Sequence, residues 1–182
     1  ESSQQVTLVK MCDVTSRPVK WLWNGRIPLR MLTDVQGDPG IGKSTSMTAI
    51  GTAITLGRGL PGMKEFEPAN VLHASAEDAL EDVLKPRLEA MGADCNRYFS
   101  LKGCFNLDED SCQLLETKIQ EVTPRLVILD PLVAYLSGNV DLNRSNHVRQ
   151  VSQRLALLAE KYECAIVTIR HLTKGGTTKA IY

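Results

Sequence analysis

The feature that most constrains this chain is a short segment rich in glycine, placed between an apolar stretch and a helix-like stretch. It fits the pattern of a glycine, four residues, Gly-Lys and then Ser or Thr. The glycines let backbone N–H groups turn toward an anion without a Cβ in the way. A helix that follows such a loop directs its positive end at the same anion. We therefore predict a phosphate-binding loop that consists of Gly37, Asp38, Pro39, Gly40, Ile41, Gly42, Lys43, Ser44 and Thr45.

The flanking residues agree with this prediction. Residues 31–36 form a plausible short strand, and Met47, Ile50 and Ile54 recur at helical spacing after the loop. In a strand–loop–helix unit of this kind, Lys43 would reach the β- and γ-phosphates of ATP, and the Ser44 hydroxyl would complete the shell of Mg²⁺. The alternative interpretation is a glycine-rich turn before an ordinary helix.

Composition narrows the class of protein. The 182 residues are 43% hydrophobic and 23% charged, with zero formal net charge. No overall basic field would draw the chain to nucleic acid, so any such contact must use local patches. No apolar run reaches membrane-spanning length. The five scattered cysteines are typical of reduced thiols, which predicts a cytoplasmic protein.

Apolar runs and helical patterns largely alternate along the chain. Such alternation predicts an α/β fold, a mostly parallel sheet with helices on both faces. We expect residues 1–20 to form an arm or edge element and residues 21–182 to form the core, as a fragment of a longer polypeptide. The predicted strands are 31–36, 70–76, 97–102, 126–129 and 165–170, and the predicted helices follow the loop and cover about 78–91, 111–122 and 145–162. Pro86 predicts a kink or break near Lys85, and Gly92 the end of that helix.

Polar residues follow several of these strands, where ligands bind in open α/β sheets. Asp130 ends a four-residue apolar strand and could hold Mg²⁺ opposite Ser44; its alternative role is a cap. Glu77 could orient or deprotonate the water that attacks the γ-phosphate, whereas we assign Asp78 mainly to helix capping. His171 could donate a hydrogen bond to the γ-phosphate or to the attacking water.

Other residues with possible roles lie elsewhere. Lys174 and Lys179 belong to a small, glycine-rich loop suited to gripping a phosphate backbone or to a solvated surface. Trp21 and Trp23 would share one face of an extended segment, and would either cover an edge of the core or stack on a base or a neighbouring subunit. We assign no functional role to His73 or His147.

With these residues in place, the chain resembles the RepA-type hexameric replicative helicases and related phage and bacterial ATPases of the AAA-family group. These proteins belong to the RecA-like branch of P-loop NTPases. The resemblance covers nearly all of the chain from about Trp21 onward. It is carried by residues 21–28, 37–45, 75–92, 126–136 and 169–176, and Pro86 fits the third of these segments.

The resemblance implies specific roles. Lys43, Ser44 and Thr45 would contact phosphate and Mg²⁺, Asp130 would be the Walker B aspartate, and Glu77 the catalytic glutamate. His171 would sense the γ-phosphate. Loops after Asp130 and His171 would face single-stranded DNA in the channel of a hexameric ring, and Arg144, Lys174 and Lys179 are the candidates there. An arginine finger would lie beyond Tyr182, with Lys174 a candidate to share its role.

Three functions fit these predictions. The first is a DNA-stimulated ATPase motor, a replicative or recombination helicase. The second is a nucleotide-switched loader or regulator that binds a partner without unwinding DNA. The third, a small-molecule phosphotransferase, is the weakest, because no arginine-rich lid is evident in the sequence.

Overall fold

The computed structural model describes residues 7–102, 107, 109–136 and 145–171, with the side chains of 109–111 and 145–147 excepted. The strands are β1 (Trp21–Trp23), β2 (Ile27–Pro28), β3 (Leu32–Gly37), β4 (Val71–Ser75), β5 (Tyr98–Ser100), β6 (Leu126–Asp130) and β7 (Ala165–His171). The α-helices are α1 (Lys43–Thr55), α2 (Lys85–Ala90), α3 (Glu109–Val122) and α4 (Ser145–Lys161). Shorter helical turns cover Met11–Asp13, Leu80–Leu84 and Leu132–Tyr135.

Five of the strands form one parallel sheet in the order β3-β7-β6-β4-β5. Strands β1 and β2 form a separate antiparallel pair. The five-stranded sheet carries helices on both faces, so the α/β fold class predicted from the alternating pattern is confirmed.

The central strands are apolar runs because both faces of the sheet are buried. Alternate residues of a strand point to opposite faces, so Leu126 and Ile128 join one hydrophobic cluster while Val127 and Leu129 join another. Helices α1 and α2 cover the first cluster, on what we call the α1 face. Helices α3 and α4 cover the second, on the α4 face.

The segment after β4 shows one prediction confirmed and one wrong. A π-helical turn, Leu80–Leu84, precedes α2, and Pro86 lies in the first turn of α2, where its missing N–H removes no helical hydrogen bond. The predicted break near Lys85 is therefore confirmed. The expected capping by Asp78 is wrong: Ala79 precedes the turn and no side chain caps it.

Strand β1 places Leu22 in the core and leaves Trp21 and Trp23 half-buried on the other face. The Trp23 indole Nε1 donates a hydrogen bond to the Pro61 carbonyl at 3.1 Å, and its ring packs against the α1-face cluster. Trp23 therefore covers an edge of the core, as the simpler interpretation predicted. Residues 7–20 are exposed throughout.

Candidate active site

The register of the sheet gathers the predicted residues at one edge. Gly37 pairs with His171 across β3 and β7, and Ser75 pairs with Asp130 across β4 and β6. These pairs are the carboxyl ends of parallel strands, where open α/β sheets bind ligands. The loop that follows Gly37 and the segment that follows Ser75 therefore border the same edge.

The loop between β3 and α1 has the backbone that its glycines allow. Gly40 and Gly42 have φ angles of 79° and 85°, which side chains with a Cβ rarely adopt. A Cβ at either position would meet no atom within 4 Å, so backbone conformation rather than packing favours glycine there. Gly42 is the N-cap of α1 and no side chain caps the helix. The N–H groups of its first turn thus have no capping side chain competing for them.

Lys43 lies under this loop and is 7% exposed. Its Nζ donates hydrogen bonds to the carbonyl oxygens of Gly37 at 2.8 Å and Asp38 at 2.7 Å. An ammonium group has three N–H donors. One donor is therefore left for an oxygen bound above the loop.

Ser44 and Asp130 meet at the start of α1. The Ser44 hydroxyl lies near the Asp130 carboxylate, and Asp130 is 4% exposed. Burial raises the pKa of Asp130, and the nearby Ser44 hydroxyl opposes that rise. The nearby carboxylates of Asp78 and Glu77 raise this pKa further.

Glu77 and His171 face each other across the edge. Glu77 Oε2 lies 3.7 Å from His171 Nε2, and the Glu77 side chain is 63% exposed. The backbone before Glu77 is fixed, because Ala76 N donates a hydrogen bond to the Asp130 carbonyl at 2.9 Å. His171 Nδ1 is buried and has no hydrogen-bond partner among the described residues.

Asp78 takes a different direction from Glu77. Its carboxylate accepts a hydrogen bond from the Arg87 guanidinium at 2.6 Å, and both side chains are about three-quarters buried. This ion pair fixes the segment that carries Glu77 against the helical region after β4. Glu77 therefore remains the carboxylate exposed at the edge.

These residues fit a nucleoside triphosphate with Mg²⁺. The loop offers a backbone cradle and a buried ammonium, and Ser44 and Asp130 offer oxygen atoms of the kind that Mg²⁺ prefers. Among the described residues, no group of three or more His, Cys, Asp or Glu side chains could hold a metal by itself.

Several of the predicted residues lie outside the part of the chain that the structure describes. Arg144, Lys174 and Lys179 lie outside the described residues, and so does the side chain of His147. Their predicted roles stay predictions. Among the described residues, no helix is long and apolar enough to cross a membrane.

The structure also places His73 and Tyr98, to which the sequence analysis assigned no role, near Asp130. His73 is completely buried, and its Nε2 lies 4.0 Å from Asp130 Oδ2. The Tyr98 hydroxyl lies 2.8 Å from His73 Nδ1. One sequence signal was present: His73 precedes Ser75 by two residues in a strand, so both face the same side. The sequence could not show that this side also carries Asp130.

Comparisons with known proteins agree with this geometry. A family model described as "AAA domain" matches residues 3–177. The chain is 28% identical over 158 residues to a DNA repair protein RadA of Streptococcus pyogenes serotype M3, covering 86% of this chain and 31% of that protein. It is 28% identical over 145 residues to a protein of the same name from Streptococcus pneumoniae, covering 79% and 30%.

A third protein of that name, from Halalkalibacterium halodurans, is 26% identical over 166 residues, covering 90% of this chain and 33% of the relative. The chain thus spans about a third of the length of these curated relatives. Its glycine-rich loop, its parallel sheet and the match over residues 3–177 together show that the chain belongs to the AAA domain family, within the RecA-like P-loop ATPases.

Proposed function

We propose that this chain binds and hydrolyses ATP as the motor domain of a DNA-stimulated ATPase, of the RepA-type helicase kind, acting as a hexameric ring. The observation that carries the proposal is the convergence of three pairs at one edge of the sheet. Lys43 lies under the loop, Ser44 contacts Asp130, and Glu77 faces His171.

Nucleotide binding follows from the loop. Residues 37–45 would surround the phosphates with backbone N–H groups, and the Lys43 ammonium would neutralise part of their charge. Ser44 and Asp130 would hold Mg²⁺, which, when bound, stabilises charge on the phosphate oxygens. Because Ser44 and Asp130 already contact each other, they need little rearrangement to present both oxygens to one ion.

Hydrolysis would depend on Glu77. A carboxylate that is exposed at the edge and carried on a fixed backbone can accept a proton from the attacking water. His171 lies close enough to Glu77 to orient it. The imidazole could also donate a hydrogen bond to the transferred phosphate, as a sensor of nucleotide state.

DNA as a partner has separate support. Three relatives carry the name DNA repair protein RadA, which associates similar chains with DNA repair. The neutral net charge means that DNA contacts would come from local residues, and Arg144, Lys174 and Lys179 are the candidates. In the sequence they follow β6 and β7, where the resemblance implies loops that face DNA in the channel of a ring.

Two substitutions test the site. Lys43→Ala should abolish ATP binding, because it removes the only side-chain cation that the described loop places beneath the phosphates. Glu77→Gln should retain binding and lose at least about 100-fold in turnover, the usual contribution of a general base. Calorimetry and phosphate release measure the two effects. The exposed residues Lys64 and Glu65 supply matched controls, Lys64→Ala and Glu65→Gln.

An unchanged turnover in Glu77→Gln would remove the assignment of the base. Intact binding in Lys43→Ala would remove the assignment of the loop. Either result with normal controls would count against the proposed chemistry.

DNA stimulation needs its own experiment. We expect the purified protein to hydrolyse ATP faster with single-stranded DNA than with duplex DNA or with none. Equal rates under all three conditions would overturn the proposal of a DNA motor. Turnover that depends on a protein partner would instead support the nucleotide-switched loader or regulator.

A further inference from the structure

An incomplete ring of buried polar side chains lies behind the proposed metal site. Thr48 Oγ1 donates a hydrogen bond to the Ser44 carbonyl at 2.9 Å, and the Tyr98 hydroxyl lies near Thr48. The Tyr98 hydroxyl also lies 2.8 Å from His73 Nδ1. Beyond His73 comes Asp130, whose carboxylate lies near the Ser44 hydroxyl. The contacts thus link α1, β5, β4 and β6.

One atom in this ring lacks a partner. His73 is 0% exposed, and its Nε2 makes no hydrogen bond among the described residues. Buried polar atoms are paired in most proteins, and an unpaired one calls for an explanation. The nearest charged atom is Asp130 Oδ2 at 4.0 Å, about 1 Å beyond hydrogen-bond distance. A small rotation of the Asp130 carboxylate would close that gap.

The chemistry of the neighbours determines where the imidazole proton lies. A tyrosine hydroxyl can donate a hydrogen bond to an imidazole nitrogen that carries no proton. A carboxylate can only accept a hydrogen bond. The tautomer that suits both neighbours carries its proton on Nε2, toward Asp130, and accepts the Tyr98 O–H at Nδ1.

Tyr98 is itself held in place by the phosphate-loop helix. Its ring lies against Gly51 of α1, where an added Cβ would come within 2.8 Å of Tyr98 Cε2. Helix α1 also carries Lys43 and Ser44 at its start. The orientation of the His73 ring is therefore linked to the same helix that begins at the proposed phosphate site.

From this geometry we infer that His73 is a positioning residue: held by Tyr98, it directs an Nε2–H at Asp130 and restrains that carboxylate in its metal-binding orientation. The inference rests on the proposed function, since it needs Asp130 to be a magnesium ligand. A hydrogen-bond donor behind a metal-binding carboxylate can fix the orientation of that carboxylate.

The experiment measures Mg²⁺ dependence rather than activity alone. Binding of a non-hydrolysable ATP analogue is followed by calorimetry while Mg²⁺ is varied, and again in EDTA. The variants are His73→Asn, whose amide can replace Nδ1 but does not reach the Nε2 position, and His73→Gln, whose amide N–H can reach it. Outer-shell partners of metal ligands typically contribute 10–100-fold in metal affinity.

We expect His73→Asn to raise the Mg²⁺ concentration for half-saturation about 10-fold. His73→Gln should restore it to within about 3-fold of the parent, and binding in EDTA should be equal in all three proteins. Equal Mg²⁺ dependence in all three, or equal losses in Asn and Gln variants, would overturn the inference. If His73 had only a structural role, both variants would lose thermal stability and would have the same Mg²⁺ dependence.

Tyr98→Phe keeps the inference testable if His73 variants fail to fold. It removes the hydroxyl that holds His73 Nδ1, and should shift Mg²⁺ dependence in the same direction as His73→Asn by a smaller factor. An unshifted Mg²⁺ dependence in Tyr98→Phe would count against the inference. Thr168→Val, a buried polar change on the α4 face, is the matched control and should leave Mg²⁺ dependence unchanged.

Measurements on the parent protein distinguish a failure of the proposed function from a failure of the role inferred for His73. If it shows no Mg²⁺-dependent binding of the analogue, the proposed function fails. If it does, and the variants behave like the parent, the role of His73 fails alone.

Discussion

The two faces of the sheet are built from different kinds of side chain. Both are covered by helices, and both bury apolar residues from the same strands. On the α1 face, however, the buried polar and charged side chains are Lys43, Thr48, Thr52, Thr55, His73 and Asp130. On the α4 face, Thr168 is the corresponding buried polar residue among those that the structure describes.

The single exception on the α4 face is locally paired. Thr168 Oγ1 donates a hydrogen bond to Asp34 Oδ1 at 3.0 Å, and Arg170 donates to the other oxygen at 3.2 Å. Asp34 and Thr168 pair across the middle of β3 and β7, and their side chains lie on the α4 face of the sheet. The pairing therefore explains Thr168 without any role in binding.

The difference suggests that the two faces of the sheet have different roles. Buried polar groups need partners and are costly when one is lost. On the α1 face, Lys43, Thr48 and Asp130 contact residues of the phosphate loop or the start of α1, whereas the apolar α4 face contributes packing. We therefore expect α4-face substitutions to change stability alone, and α1-face substitutions to change stability and ligand binding together.

The largest predicted effect is on the α4 face. Leu155 is 0% exposed in α4, so Leu155→Ala should lower the free energy of unfolding by about 2–5 kcal/mol through lost burial and a residual cavity. Urea denaturation measures this loss. Nucleotide affinity, measured by calorimetry where the variant is fully folded, should be unchanged.

The neighbouring exposed leucine supplies the control for that substitution. Leu157 is 66% exposed, so Leu157→Ala should change stability by no more than about 0.5 kcal/mol. Weaker nucleotide binding in the folded Leu155→Ala variant would contradict the expectation that substitutions on the α4 face change stability alone.

A smaller effect is predicted on the α1 face. Gly51→Ala would place a Cβ 2.8 Å from Tyr98 Cε2. Overpacking costs about 1–3 kcal/mol, while replacing a helical glycine returns up to about 1 kcal/mol, so we expect a net loss of about 1–2 kcal/mol. Because Tyr98 holds His73, the Mg²⁺ dependence of nucleotide binding should weaken as well.

A substitution at the exposed residue Ala49, in the same helix, measures how much a glycine in this helix lowers the free energy of unfolding. Ala49→Gly should cost about 1 kcal/mol in unfolding free energy and leave Mg²⁺ dependence unchanged. Should Gly51→Ala bind nucleotide with the parent's Mg²⁺ dependence, the α1 face would have no special link to the site.

Local patterns predicted the fold well. The strand before the loop, the loop itself and the apolar run that ends at Asp130 are each contained within a few residues, and the structure places their ends at one edge. Parallel sheets bring carboxyl ends together whatever the order of the strands. That is why Glu77, Asp130 and His171 could be grouped before the order was known.

The roles that the sequence did not reveal depend on contacts between residues that are distant in the sequence. His73 becomes informative only when β4 is known to lie between β5 and β6, since Tyr98 and Asp130 come from those strands. No spacing in the sequence shows that order. Asp78 was assigned to capping from composition, but its pairing with Arg87 depends on the π-helical turn between them.

Two cysteines extend the comparison of faces to thiol chemistry. Cys164 belongs to the α4-face cluster, is 1% exposed, and burial raises its pKa to about 11. At pH 8 about one in a thousand of its thiols would be ionised, and the thiolate is the reactive form. Cys95, packed beside the α1-face cluster, is partly exposed and lies 3.4 Å from the Lys85 ammonium.

We therefore expect a thiol reagent at pH 8 to modify Cys95 at least about 100-fold faster than Cys164 in the folded protein, because Cys95 is partly exposed, whereas burial both suppresses the Cys164 thiolate and shields it from the reagent. Peptide mapping by mass spectrometry measures both rates, and Cys95→Ser and Cys164→Ser assign them. Raising the pH toward 11 should speed modification of Cys164, since its thiolate fraction grows with pH. Rapid labelling of Cys164 at pH 8 would contradict the prediction and would show that the α4 face opens readily.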